Sequence, residues 1–459
     1  MHPHPLTFLL QQLRQALNLP DLPFTLSDPD AGSLPSCFPV SDLAAASLIA
    51  AGTGMAARLR LAGRDPGPFR VDWRRASLWF QGSVTPVGWT LPAAWDAVAG
   101  DYATADGWIR LHTNAPHHRA AALQVLGVPA DRDAVAARVA QWSADALEQA
   151  VVEAGGCAAA MRSRQAWAAH PQGAALAAEP LVWVEEGTEG AGPAAAVEAD
   201  RPLAGIRVLD LTRVLAGPVA TRFLASYGAS VRRIDPPDWD EPGVLPDVTP
   251  GKHRARLDLK QPEDRARLEQ LLAGADIVVH GYRPDALDRL GLGAARRQAI
   301  RPGLIDVSLS AYGWTGPWAG RRGFDSLVQM STGIAQAGMD WKGSDRPQPL
   351  PVQALDHATG YLLAACALHG LNHRTATGRG SRWRTSLARM AALLTMAPAA
   401  ATAPPLAPAG PEDHEPDLEM TGWGPVHRLR PALDMPGAPA FWDRPAGPLG
   451  TDAPAWTTP

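Results

Sequence analysis

Cysteine is scarce. Cys37, Cys157 and Cys366 are the only three in 459 residues, and they show no C-x-x-C spacing. Such an odd, scattered set argues against a disulfide framework or a cysteine zinc site and points to a reducing compartment, the cytoplasm. Net charge is also small, formally −4, which gives no support to nucleic-acid or membrane-surface binding. No uncharged apolar run reaches the ~18 residues of a spanning helix. The N-terminal MHPHPLTFLLQQLRQALNL lacks a basic start followed by a long apolar run, so no signal peptide is expected. A G-x-G-x-x-G fingerprint is missing too, which weakens a dinucleotide reading.

The chain does contain a clear strand–turn–helix–strand unit at 203–236. Apolar and polar residues alternate over 206–211 and end in Asp210-Leu211-Thr212, as a strand entering a turn does. Ala216-Gly217-Pro218 breaks the pattern: Gly217 lets backbone approach a ligand, and Pro218 suits a first helical turn. Helical spacing follows over 219–227, Gly228 closes the helix, and 230–234 reads as the next strand. A parallel βαβ unit brings a strand's carboxyl end and a helix N-terminus together, a suitable place for phosphate or carboxylate.

Further strands are expected at 254–259, 277–280 and 304–309, alternating with helices at 261–272, 284–290 and 294–300. That alternation predicts an α/β fold with an open parallel Rossmann-like sheet, its ligands near Leu215, 280–283 and 310–313. Upstream, 101–112 reads as a hairpin around Asp106-Gly107, with helices at 120–128, 134–142 and 144–154 and Ser143 as a cap. This makes a smaller α+β domain. Its His112, His117 and His118 read as surface or packing histidines, because Pro116 breaks any helical face that could converge them on a metal. The segment 69–80 looks extended, and 398–417 reads as a mobile Pro/Ala-rich loop. The expected domains are 1–184, a linker at 185–200, and a core at 201–459.

Two Ala-rich helices, opening at Asp42 and Asp356, align without gaps. Asp42/Asp356, Arg60/Arg374, Arg70/Arg384 and Arg75/Arg389 coincide along with several alanines and leucines, which points to a partial internal duplication.

Several ordered stretches carry a resemblance: PLAGIRVLDLTRVLAGPVAT, YGASVRRIDPP, GKHRARLDLKQPEDR, ADIVVHGYRPDALDRLGL and RPGLIDVSLSAYGWTGPWAGRRGFD, then the Asp356 helix ending HRTATGRG. Over 203–394 the chain resembles the class III CoA-transferases, the family of formyl-CoA transferase, carnitine CoA-transferase and 2-methylacyl-CoA racemase. Family members place the core and the Asp-bearing helix first and a small α+β domain afterwards. Here ADGWIRLHTNAPHHRAAALQVLG resembles that small domain but precedes the core, so the first 184 residues read as a degenerate half fused ahead of a first half. Family subunits interlock as dimers, which implies a homodimer, although the altered order changes the parts available for it.

The resemblance implies an enzyme that moves CoA between an acyl-CoA and a carboxylic acid. CoA would enter as a substrate thioester and no metal would be needed. Asp356 matches the family's catalytic aspartate, and Val214, Leu215 and Ala216 match the loop against CoA. Lys252 matches a CoA-contacting lysine. Gly281, Tyr282 and Arg283 match the segment beside the pantetheine and adenine end. Arg289 and Arg322 match basic CoA contacts, and Asp325 matches a site acid. The departures are Leu215, where formyl-CoA transferase has Gln, Pro236, where an Arg often sits, and Phe324, where the racemases have a catalytic His. The readings left open are a CoA-transferase, a non-catalytic CoA-binding pseudoenzyme, and a CoA-thioester racemase or lyase that would need His357 or His280 as its second base.

Overall fold

The computed structural model describes every residue except 1–3, 29–30, 191–196, 199, 284, 400–402 and 457–459. Seven strands build the main sheet: β1 (Trp183–Glu189), β2 (Arg207–Leu211), β3 (Ser230–Asp235), β4 (Lys252–Arg256), β5 (Ile277–His280), β6 (Ile305–Ser310) and β7 (Arg379–Ser386). Their order is β4-β3-β2-β5-β6-β7-β1, parallel throughout except for β1, which runs antiparallel to β7 at the edge. Helices cover the sheet, so Val208, Leu209, Val231, Ile277, Val279, Ile305 and Val307 are all buried. Near-continuous apolar strands are what a sheet covered on both sides requires. The strand order reverses between β2 and β5, and a cleft is expected beyond the carboxyl ends of those two strands.

Strand β1 corrects the expected linker at 185–200. Residues 185–189 pair with β7, where Glu185 meets the guanidinium groups of Arg382 and Arg384. Most of the remaining stretch, 191–196 and 199, lies outside the described residues.

The smaller unit has a three-stranded sheet, Gly100–Ala103, Trp108–Leu111 and Ala158–Ala160, as the hairpin at Asp106-Gly107 implied. Three helices pack on it: Pro116–Leu126, Arg132–Val139 and Ala144–Glu153. Two local expectations need correcting. Pro116 does not break a helix; as the first helical residue it starts one, which puts His117 and His118 in the first turn. Ser143 makes no side-chain cap; Asp106 Oδ1 accepts from Ala144 N instead, at 2.8 Å.

The segment 69–80 is also not extended throughout. It is a strand only over Phe69–Asp72, and then Trp73–Gln81 is a helix. The Asp72 side chain accepts from Arg75 N at 2.8 Å and caps that helix, while Trp73, Ala76, Ser77 and Phe80 turn into the core. β-rich aromatic composition masked a capped, one-sided helix.

The duplicated segments share their geometry. Asp42 and Asp356 are each the third residue of a long helix, Val40–Leu61 and Ala354–Thr377. Both helices are entered through non-helical residues of matching conformation, Pro39 (φ −78°, ψ 69°) and Gln353 (φ −76°, ψ 63°). Each helix leads to a strand and then a capped helix, and the caps correspond: Asp72 accepts from Arg75 N as Ser386 accepts from Arg389 N. The preceding strand is parallel in both cases, Phe24–Ser27 beside Phe69–Asp72 and β6 beside β7. The two long helices pack on each other in the centre of the molecule. Val40–Leu61 is long and apolar enough to cross a membrane by composition, but it is buried against its counterpart.

Candidate active site

The turn after β2 is held under strain. Asp210, at the end of that strand, accepts from Thr212 N at 3.0 Å and from the Thr212 and Thr221 hydroxyls, each at 2.5 Å. Gly217 is required here because a Cβ would meet the Thr212 side chain at 2.3 Å, so its role is close packing of the turn and not approach to a ligand. Val214 takes a left-handed conformation (φ 63°), which a β-branched residue adopts only when its surroundings force it. Glu241 supplies part of that force, accepting from Val214 N and from Trp239 Nε1, both at 2.9 Å. This turn leads into the helix Ala216–Ser226, whose first-turn N–H groups have no intrahelical acceptor.

Asp356 reaches this turn because its helix lies directly on Ala216–Ser226. Gly360 permits the approach: a Cβ there would meet the Ala216 carbonyl oxygen at 2.6 Å and Val219 Cβ at 2.8 Å. Asp325 fixes the start of the helix from outside. It is buried, accepts from Asp356 N at 2.9 Å, and receives Gln329 Nε2 at 2.5 Å. Burial raises the Asp325 carboxyl to about 6, partly offset by those donors. Asp356 is raised well above the ordinary carboxylate range, first by burial and then by the neighbouring Asp325 charge.

Asp356, 8% exposed, lines a cleft of about 360 Å³ together with Val214, Ala216, Gly281, Tyr282, Arg283 and Arg322. The sequence-derived set therefore converges here in large part, at the carboxyl ends of β2, β5 and β6. Burial and the like charge of Arg322 depress Arg283, which forms no ion pair among the described residues. Arg322 donates to the Gly155 carbonyl at 3.0 Å.

Four expected residues do not line the cleft. Lys252 is fully buried under the β2 turn, where its ammonium donates to Asp210 Oδ2 (3.1 Å), Pro218 O (2.9 Å) and Thr221 Oγ1 (2.7 Å). Burial pushes its pKa down to about 8 although Asp210 opposes the shift, and all three of its donors are spent inside the protein. Leu215 turns into the core. Arg289 pairs with Asp285 at 2.5 Å on the surface, both side chains more than half exposed. Asp325 caps the Asp356 helix as described and pairs with neither Arg321 nor Arg322. Arg321 instead bridges to Glu148 at 2.9 Å and stacks on Trp318.

Several lining residues went unrecognised. Arg213 lies over the Trp239 ring at 4.8 Å and near Tyr282 at 5.6 Å, so aromatic faces orient its charge. Arg213 was visible within the DLTRVLAG motif. Arg321 was visible beside Arg322 in the same way, whereas His117 and His118, expected as surface or packing histidines, come to the cleft from the smaller unit, far away in sequence. Phe324, expected from the resemblance to stand where the racemases have a His, stacks on His112 at 3.7 Å. His280 and His357, the histidines that a second base would require, do not line the cleft: His280 bonds to Asp306 and Arg297 beneath the sheet, and His357 stacks on Phe80. Among the described residues no three His, Cys, Asp or Glu side chains converge as metal ligands.

Residues 203–429 match the model of CoA-transferase family III. The acetyl-coenzyme A transferase nodX of Hypoxylon pulicicidum is 36% identical over 201 residues, covering 42% of this chain and 34% of that protein. An acyl-CoA transferase of Gibberella moniliformis is 32% identical over 313 residues, 62% of this chain and 54% of its own length. The probable fatty acyl-CoA transferase Rv3272 of Mycobacterium tuberculosis is 32% identical over 192 residues, 39% and 48% of the two chains. A crystal structure of Rv3272 covers 42% of this chain and 55% of its own, with a TM-score of 0.40. The chain thus spans about a third to a half of the length of these curated relatives. The strained β2 turn and the Asp356 helix both lie inside the matched region, and most of the cleft lining does too, so over residues 203–429 the chain is similar to CoA-transferase family III.

Proposed function

We propose that the chain is a CoA-transferase that moves CoA from an acyl-CoA donor to a carboxylic acid through Asp356. One observation carries this reading: a single carboxyl group at the head of a helix opens onto a cleft rimmed by Arg213, Arg283 and Arg322. Arginines orient phosphates through charge-assisted hydrogen bonds, and a carboxylate beside N–H donors can be acylated. The Asp356 carboxylate attacks the donor thioester, the C–S bond breaks, and an acyl–aspartyl anhydride and CoA thiolate form. The thiolate attacks the aspartyl carbonyl, releases the donor acid and leaves an aspartyl–CoA thioester. The acceptor carboxylate then attacks that thioester to give a second anhydride and free thiolate. Attack of the thiolate on the acceptor carbonyl releases the new acyl-CoA and restores Asp356.

The test is to incubate the protein with a panel of acyl-CoA donors, trap with hydroxylamine or borohydride, and map the modified peptides. Modification at Asp356, lost in Asp356→Asn, is the expected result. CoA binding without any adduct would make the protein a non-catalytic CoA binder. Deuterium exchange at the acyl α-carbon in heavy water would favour a racemase or lyase.

A further inference from the structure

The smaller unit contributes part of the same cleft through the helix Pro116–Leu126. His118, its third residue, is only 3% exposed and lines the cleft that holds Asp356. Neither its Nδ1 nor its Nε2 has a hydrogen-bond partner among the described residues. Buried polar groups in native proteins are satisfied as a rule, so an imidazole with both nitrogens unspent is anomalous as a packing residue. Other histidines of the chain behave differently: His170 accepts from Gln172 N, His280 bonds to Asp306, and His253 lies beside Asp452.

Aromatic contacts fix the His118 ring without using its nitrogens. His117 stands at 4.1 Å and Phe324 at 5.9 Å, both at steep interplanar angles, and Phe324 is held in turn by the stacked His112. Burial, with the charges of His117 and Arg322 beside it, pushes the His118 pKa down to about 3. The ring is therefore neutral at physiological pH and offers one N–H and one lone pair. A neutral imidazole in the first turn of a helix is suited to polarise a carbonyl, and not to carry a proton away.

We propose that His118 donates a ring N–H to the acyl carbonyl oxygen of the thioester while Asp356 attacks the carbonyl carbon. This rests on the transfer reading above and adds to it a site residue from outside the family-matched region 203–429. As the Asp356 oxygen bonds to carbon, the carbonyl electron pair moves onto oxygen and is stabilised by the His118 N–H. Collapse of this intermediate breaks the C–S bond and releases thiolate. No proton leaves the ring.

Two measurements test this. In the Asp356→Asn background the bound thioester stays intact, so the infrared carbonyl band of acyl-CoA isotopically labelled at that carbon can be read without turnover. The band should lie at lower frequency in Asp356→Asn than in Asp356→Asn/His118→Ala, and His118→Asn, which keeps an N–H donor, should restore part of the shift. Second, adduct formation on otherwise wild-type protein should slow about 10²-fold in His118→Ala, with a much smaller loss of acyl-CoA affinity. A band insensitive to residue 118, or an unslowed adduct, overturns the proposal and leaves the Asp356 reading standing. A band that responds to His118 in a protein forming no Asp356 adduct overturns the transfer reading and leaves the His118 contact standing.

Discussion

Asp356 and Asp325 face each other across the first turn of one helix, and their ionisations oppose one another. Asp325 holds its charge more readily because Gln329 and the Asp356 N–H donate to it, while Asp356 has burial and the Asp325 charge against it. Attack needs the ionised form of Asp356, so activity rises with pH through its elevated pKa. Asp325→Asn removes the repelling charge and lowers the Asp356 pKa. The ascending limb of the pH–rate profile should then move to lower pH; an unmoved limb would contradict the coupling. Lys252 is a second case decided at the residue scale. Its ammonium neutralises the buried Asp210, and removing one member of such a pair costs about 3–5 kcal/mol. Lys252→Ala should lose that much stability in denaturant unfolding. A variant with an unchanged midpoint and a raised KM for the CoA substrate would instead return Lys252 to ligand binding. The basic residue was legible in the sequence, but whether its chain points outward or inward was not, because only the packed β2 turn decides it.

At the scale of elements, the site depends on how closely the Asp356 helix lies on the helix Ala216–Ser226. The missing Gly360 side chain sets that distance. Overpacking a well-filled interior costs about 1–3 kcal/mol, and here the obstructing atom is backbone, which cannot rotate away. Gly360→Ala should therefore lower the thermal midpoint and also kcat, since the displaced carbonyl belongs to Ala216 at the cleft wall. Equal melting of variant and parent would show the helices can separate freely. The strands and crossover helices of this core were readable because their apolar periods are regular and Gly and Pro mark their ends. Trp73–Gln81 was hidden by β-favouring aromatics, since its helical state follows from the Asp72 cap and a buried face. The edge strand β1 was hidden because an acidic, glycine-containing stretch reads as linker until the arginines of β7 are placed beside it.

On the scale of the whole molecule, charge is unevenly spread: the chain is formally −4, yet Arg213, Arg283, Arg321 and Arg322 gather at one cleft. A cluster of one sign in a concave site focuses the field on an incoming anion. Arg283→Ala should raise KM for the CoA substrate about tenfold with little change in kcat, and should flatten its dependence on salt. A purely kcat effect would place Arg283 elsewhere in the reaction. The molecule is also arranged around two packed helices that repeat one motif, of which only the Asp356 copy faces the cleft. In the other copy Asp42 is buried, with His4 at 3.6 Å, and its carboxyl is raised to about 6 by burial. The repeat was legible from its aligned arginines. That His118 and Asp356 line one cleft was not, because no local pattern reports the convergence of residues so distant in the chain.

The most direct test of the account follows oxygen. With an acceptor acid carrying heavy oxygen in its carboxylate, the two-anhydride route leaves one acceptor oxygen on the enzyme at every turnover. Mass spectrometry of the digested protein should find heavy oxygen in the peptide containing Asp356, only when acyl-CoA and acceptor are both present. Formation of the new acyl-CoA with no heavy oxygen in that peptide would contradict transfer through Asp356.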